Sequence, residues 1–133
     1  MNTTYEEIWD EFEPIAKFDE YDLPVTVDGK RSLIKSGIKI FNKKMFDSLK
    51  ADDRLDSIDR ILKDDEINLL THCMRLQVCR NIYSEFTTTY DMYKSDVGFK
   101  NYKAQLDGRQ KLIDMEEKEV DSIVFSMQED FEG

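Results

Sequence analysis

Phe99-Lys-Asn-Tyr-Lys-Ala-Gln-Leu-Asp-Gly-Arg-Gln-Lys-Leu-Ile-Asp-Met-Glu-Glu-Lys-Glu-Val-Asp-Ser-Ile-Val-Phe-Ser-Met-Gln128 is the stretch that decides the fold. Phe99, Tyr102, Leu106, Ile113, Val120, Ile123 and Met127 recur in it at steps of three, four or their sum. That spacing places them on one face of a helix, and so long an apolar face needs another surface to cover it. Arg109 and Glu116 fall on the same face, between Leu106, Ile113 and Val120. Two readings fit them. Either they are edge residues whose stems cover apolar surface while their charges reach water, or they set register against a partner helix or neighbouring subunit, as polar seam residues do in coiled coils.

Ser95-Asp96-Val97-Gly98 interrupts the period ahead of this helix, with Gly98 suited to a positive-φ cap. Before the break, Ile67, Leu70, Met74, Val78, Ile82, Phe86 and Tyr93 form one broad face, widened by Leu69, Cys73 and Leu76. They predict a largely buried central helix, with Asp64 as N-cap and Asp65 and Glu66 in a first turn that favours negative charge. The short connection makes the two helices an antiparallel hairpin. Further back, Ile34, Ile38, Phe41 and Met45 predict a helix from about Ser32 to Leu49, with Gly37 marking a close helix contact. Ala51, Asp52 and Asp53 read as a connection, and Leu55, Ile58, Ile61 and Leu62 as a short amphipathic turn or two. At the start, Thr3 or Thr4 caps a helix carrying Tyr5, Ile8, Trp9 and Phe12 that ends near Pro14. Between Phe18 and Gly29, Pro24, the β-branched Val25-Thr26-Val27 and the Asp28-Gly29 turn signal favour extended structure. The expected fold is all-α: a helical bundle built on a long antiparallel hairpin, plus a short extended arm or strand near residues 18–29. Residues 1–133 read as one domain, with 1–30 as a candidate peripheral arm.

The 133 residues leave room for a single modest core. With 40% apolar and 36% charged residues the chain is neither membrane-like nor low-complexity, and no apolar run approaches a bilayer span. Met1 to Phe12 is acidic and lacks an apolar h-region, so it does not read as a secretory signal, and folding in the cytosol is expected.

Catalytic chemistry is sparse. Cys73 and Cys79 stand six residues apart on one expected helix, roughly 9 Å along its axis, too far to bridge. Together with His72 they offer three zinc-ligating groups, but no further Cys or His completes a site, and two buried thiols are the simpler reading. His72 lies between Leu70 and Met74, where a satisfied, partly buried imidazole fits better than a general base. Asp52-Asp53, Asp64-Asp65 and Glu116-Glu117 are adjacent pairs, which diverge by about 100° on a helix. There is no phosphate loop, EF-hand spacing or nucleophile elbow. The expectation is a non-enzyme with neither metal nor cofactor.

Charge is segregated along the chain. Residues 1–29 hold nine acids and one base, residues 30–50 seven bases and one acid, and residues 51–133 nineteen acids and eleven bases. Arg31, Lys35, Lys39 and Lys43 follow at steps of four, forming a basic stripe beside the apolar face of the second helix. The stripe is either a solvated flank or the complement of an acidic surface on this chain or another copy. Direct nucleic-acid binding ranks below protein contact, because the acidic remainder repels a polyanion.

Asp64-Asp-Glu-Ile-Asn-Leu-Leu-Thr-His-Cys-Met74, Asp96-Val-Gly-Phe-Lys-Asn-Tyr-Lys-Ala-Gln-Leu106 and the helix running through Val124 resemble small neck proteins of tailed bacteriophages, the head-to-tail connector or adaptor class. The resemblance covers about half the chain, and Met1 to Lys50 has no counterpart in it. It implies a mostly helical, non-enzymatic virion protein assembled in the host cytoplasm. Such a protein forms a ring, usually dodecameric, below the portal; its partners are the portal and other neck or tail proteins, and it meets packaged DNA only indirectly, through a channel. Arg31, Lys35, Lys39, Lys43, Arg109 and Glu116 are the candidate interface residues. The competing reading is a small acidic regulatory protein that binds and inhibits a host protein; a carboxylate-dependent hydrolase or nuclease ranks last.

Overall fold

The structure, a computed structural model, describes residues 2–18, 22–91 and 99–132, with the backbone alone at 89–91, 99, 100 and 129–132. Tyr93, the Ser95-Asp96-Val97-Gly98 break and the side chain of Phe99 lie outside the described residues. Four helices are described, α1 Tyr5–Ala16, α2 Val27–Met45, α3 Asp64–Asp91 and α4 Phe99–Glu132. A small antiparallel ribbon, β1 Ala51–Asp52 and β2 Ser57–Ile58, pairs Ala51 with Ile58 and Asp52 with Ser57.

Thr4 caps α1, its hydroxyl accepting from the Glu7 amide at 3.1 Å. Tyr5, Ile8, Trp9, Phe12 and Ala16 then turn one face into the core. The helix ends near Pro14, as expected, though Pro14 is not its last residue. It sits in the last turn, where its missing N–H removes one bond, and the helix runs on to the fully buried Ala16 before Lys17 closes it at φ 50°. Residues 1–30, expected as a candidate arm, thus contain a core helix.

The extended segment expected near 18–29 is shorter than its sequence suggested, and the strands lie elsewhere. Thr26 is an N-cap whose hydroxyl accepts from the Gly29 amide at 3.0 Å, so Val27, Asp28 and Gly29 form the first turn of α2. A cap residue itself has extended φ and ψ, and Asp28 suits the positive end of the helix, so cap chemistry overrides the β-branched run. At the other end α2 stops at Met45, short of Leu49, because Phe46 turns left-handed at φ 52°. Asn42 then holds the loop through two bonds to the Leu49 backbone, at 2.9 and 3.0 Å.

Residues 51–58 form a ribbon where a connection and a helical turn were expected. Ile58 and Leu62 are buried, while Leu55 and Ile61 are exposed. Asp56 accommodates the tight turn at φ 49°. A ribbon this short is unstable alone, and this one leans on the start of α1. Thr3 donates its amide to the Arg60 carbonyl, accepts from the Ile58 amide, and receives the Leu62 amide on its hydroxyl at 2.8 Å. Tyr5 N–H reaches the Asp56 carbonyl at 2.8 Å.

The long α3 is the central element, packed against α1, α2 and α4. Leu69, Leu70, Cys73, Met74 and Leu76 have no solvent exposure. Its N-terminus differs from expectation by one residue: Glu66 reaches back to the Lys63 amide at 3.0 Å, leaving Asp64 inside the first turn. Gly37 lets α2 come close, since a Cβ there would lie 2.5 Å from Met74 Cγ. On α4, Ile113, Val120 and Val124 are buried, and Tyr102, Leu106, Ile123 and Met127 are partly covered. Phe86 stacks on Tyr102, while His72 and Arg75 meet Glu116, so rising positions on α4 meet falling positions on α3. The hairpin is antiparallel. Among the described residues no helix is long and apolar enough to cross a membrane.

Candidate functional site

The singled-out charges divide into three groups. The first half of the basic stripe is used inside the chain. Arg31 pairs with Asp56 at 2.8 Å and Lys35 with Asp53 at 2.6 Å, both on the ribbon turn. Tyr5 Oη also donates to Asp53 at 2.8 Å. The Lys35 hydrogen bond, then that from Tyr5, holds the Asp53 carboxyl below its usual range, while burial and the Asp53 bond push the Tyr5 phenol up. One destination of this stripe is therefore an acidic surface of the same chain.

Lys39 and Lys43 make up the second half. Both are exposed, and no ion pair reaches either among the described residues. Their neighbour Lys44 does pair, with Asp121 of α4 at 2.7 Å. The exposed face of α1 carries the opposite sign, in Glu6, Glu7, Asp10 and Glu11.

Glu116 belongs to a third environment. Only 4% exposed, it lies between α3 and α4, accepting from His72 Nδ1 at 2.8 Å and forming a close ion pair with Arg75. Burial pushes this carboxyl up, but the His72 hydrogen bond and the Arg75 charge outweigh it, leaving it below its usual range. With Glu116 ionised, Nδ1 of His72 must carry the proton. Arg75 also sets its guanidinium over the Phe18 ring at 5.2 Å and donates Nε to the Ala16 carbonyl at 3.3 Å, joining the end of α1 to the hairpin. Glu116 is therefore not an edge residue; it sets the register of α4 against α3 within one chain. Arg109 is partly covered, lying over the Phe86 ring at 3.9 Å and donating to the Gln105 carbonyl. Its stem and charge work on the hairpin as well.

Sequence spacing did not reveal Arg75, which lies on the flank of α3 and 41 positions from its partner. The signal that was present is the charge at a seam position, which demands an opposite charge opposite it. Glu117 with Arg80 at 2.8 Å repeats that pairing one residue further on, half exposed. The thiols take no part. Burial pushes Cys73 up to about 12 and raises Cys79 too. No group of three or more His, Cys, Asp or Glu able to hold a metal occurs among the described residues.

Glu116 with Arg75 and His72 thus joins α3 to α4, and the exposed surface carries separate acidic and basic patches. The comparisons with known proteins fit a phage origin. The chain is 26% identical over 129 residues to the SPbeta prophage-derived uncharacterized protein YomZ of Bacillus subtilis (strain 168), across 97% of this chain and 98% of that one. No solved structure matches. The similarity includes Met1 to Lys50, which the neck-protein resemblance left without a counterpart. The phage lineage implied by that resemblance stands, and the family is its own. Because the model of the YomZ prophage protein matches residues 1–129, this chain belongs to the YomZ prophage protein family.

Proposed function

We propose that this prophage-family chain is a non-enzymatic virion component of the head-to-tail connector, or adaptor, class, assembling as a ring below the portal around the DNA channel. The observation that carries the reading is the unspent charge on two separate surfaces. Lys39 and Lys43 stand exposed on α2, and Glu6, Glu7, Asp10 and Glu11 stand exposed on α1. Opposite charges on different patches of one subunit suit a head-to-tail contact, the kind that closes a ring. Lys35 and Arg31 fall outside this contact because they pair within the chain. The ring needs no cofactor and no membrane; its partners are its own copies, the portal and other neck or tail proteins.

The test is the native mass of the purified chain, alone and with portal protein, followed by its detection in purified phage particles. The wild type should form a ring that loosens as salt rises, and K39E/K43E should assemble poorly while keeping its helical signal. A chain that is missing from particles and ignores the portal would overturn the reading. The exposed acidic face of α1 supports a second reading, a regulatory protein that presents negative charge to a basic host protein. Recovery of a stoichiometric complex with one host protein, together with absence from particles, would favour it.

A further inference from the structure

Phe46 closes α2 in the left-handed region at φ 52° and leaves 93% of its surface in water. Glycine suits that backbone better than any residue with a Cβ. The cap itself needs no side chain, because its work is done by the backbone N–H bonded to the Asn42 carbonyl. The fold therefore gives no reason for the ring. Lys43 and Lys39 stand one and two helical turns before it, both exposed, and no ion pair reaches either among the described residues. Asp47, the next residue, is held by Arg60 at 2.6 Å. Phe46 is thus an open aromatic ring at the end of a basic row.

The opposite chemistry lies at the other end of the same helix. Between α1 and the first turns of α2 runs an open groove of about 370 Å³, with Trp9, Val27 and Ile34 among its apolar walls. Val27 is 63% exposed, and Val25, 83% exposed, lies in a second hollow that also touches Trp9. Glu6, Asp10 and Glu13 rim the groove. Of its two cations, Arg31 is taken up by Asp56 and Lys30 sits over the Trp9 ring at 5.3 Å. The rim therefore presents an excess of negative charge. Val27 and Phe46 are separated by the length of α2, roughly 28 Å at the helical rise, so a chain cannot place its ring in its own groove.

We infer that Phe46 of one copy seats in the α1–α2 groove of the next, against Val27 and beside Trp9, as the apolar anchor of a head-to-tail contact. A ring flanked by cations meets an apolar groove rimmed by acids, and the docking that buries the ring also sets Lys39 and Lys43 toward Glu6 and Asp10. An unrelated anionic partner would account for the ring and leave the acid-rimmed groove with its open valines unexplained; a second copy accounts for both. Each copy carries one ring and one groove at opposite ends of α2, so the contact is heterologous. The inference rests on the head-to-tail contact of the connector reading and adds to it an uncharged anchor and its seat.

Analytical ultracentrifugation of the full chain at roughly 100 μM, above the Kd of a weak contact, tests it through two variants, with circular dichroism to follow the fold. F46S removes the ring and no charge, so it should weaken assembly by about tenfold or more with helical content intact. V27E places a carboxylate in the first turn of α2, where it suits the helix, and adds to the acidic face. Charge attraction alone would make V27E assemble better; a spoiled seat for the ring makes it assemble worse, which is the expected result. Mixed in equal amounts, the two variants should form a dimer of twice the 15.8 kDa of one chain and stop there, because the F46S groove accepts the V27E ring and no other intact pair remains. An F46S protein that assembles like the wild type overturns the inference, and if K39E/K43E disperses that same assembly the connector contact stands without it. V27E assembling as well as the wild type, or a mixture that stays monomeric, overturns it too. Loss of portal binding by F46S with self-assembly intact would assign the ring to the portal and overturn the inference. A monomeric wild type at that concentration overturns both this inference and the head-to-tail contact beneath it.

Discussion

Replacing Glu116 by Gln removes one charge from the α3–α4 contact while keeping the side chain's shape. Glu116 is 4% exposed, whereas the Arg75 and His72 side chains keep 25% and 18% of their surface in water. Removing one member of a fully buried pair costs about 3–5 kcal/mol. Arg75 can recover some hydration, and Gln can still accept a hydrogen bond, so the expected loss for Glu116→Gln is about 2 kcal/mol. For a chain of this size that corresponds to roughly 8 °C in Tm. Urea unfolding followed by circular dichroism gives the number directly, with the exposed Glu85→Gln on α3 as control. The pH profile supplies a second readout. A carboxyl held below its ordinary 4.5 contributes stability that is fully present above that value and is lost as pH falls through the lowered one. Wild type should therefore lose stability on acidification in that window, and Glu116→Gln should lose less. If Glu116→Gln and Glu85→Gln unfold within about 0.5 kcal/mol of each other, the triad does not hold the hairpin and the reasoning fails.

Three other substitutions or treatments probe the packing. Met74→Ala should cost about 2–5 kcal/mol, because the side chain is fully buried against Gly37, and an unchanged urea midpoint would mean that the α2–α3 contact is misplaced. Phe46→Gly should raise stability by about 1 kcal/mol, since Phe46 is 93% exposed and held at φ 52°, where glycine has no Cβ penalty; a fall in Tm would show that the ring does something for the chain itself. Cys73, whose thiol lies near 12, should react with iodoacetamide at neutral pH no faster than the protein unfolds, and prompt labelling of the native chain would contradict its burial.

The helical hairpin was legible because its cue is periodic: the α4 stripe and the broad α3 face each repeat over many turns, and no local signal competes with them. Errors gathered where a few residues carry two meanings. Val25-Thr26-Val27 with Asp28-Gly29 reads equally as strand and turn or as cap and first turn, and only the hydrogen bond from Gly29 to Thr26 decides. Ile58 and Leu62 keep helical spacing, yet Ile58 is in a strand because it pairs with Ala51 and donates its amide to the Thr3 carbonyl, both more than a helical turn away in sequence. The interface residues were legible as charges but not as partnerships. Arg31 and Lys35 look alike with Lys39 and Lys43 on a helical wheel, and what separates them is a ribbon turn some twenty residues downstream, brought back by tertiary folding.

Thr3 and the ribbon impose an order on folding. The first helix leaves the ribosome early, but its cap region is bonded to Asp56, Ile58, Arg60 and Leu62, and its apolar face needs α3. Until those residues have been translated, Ile8 and Phe12 have no native surface to cover them, and a nascent chain stalled before Asp64 exposes them to chaperones and to other nascent chains. Trp9 is the sole tryptophan, packed tilted against Phe12 with Lys30 above its ring. Its emission should therefore change late, once the ribbon and α3 have formed around α1.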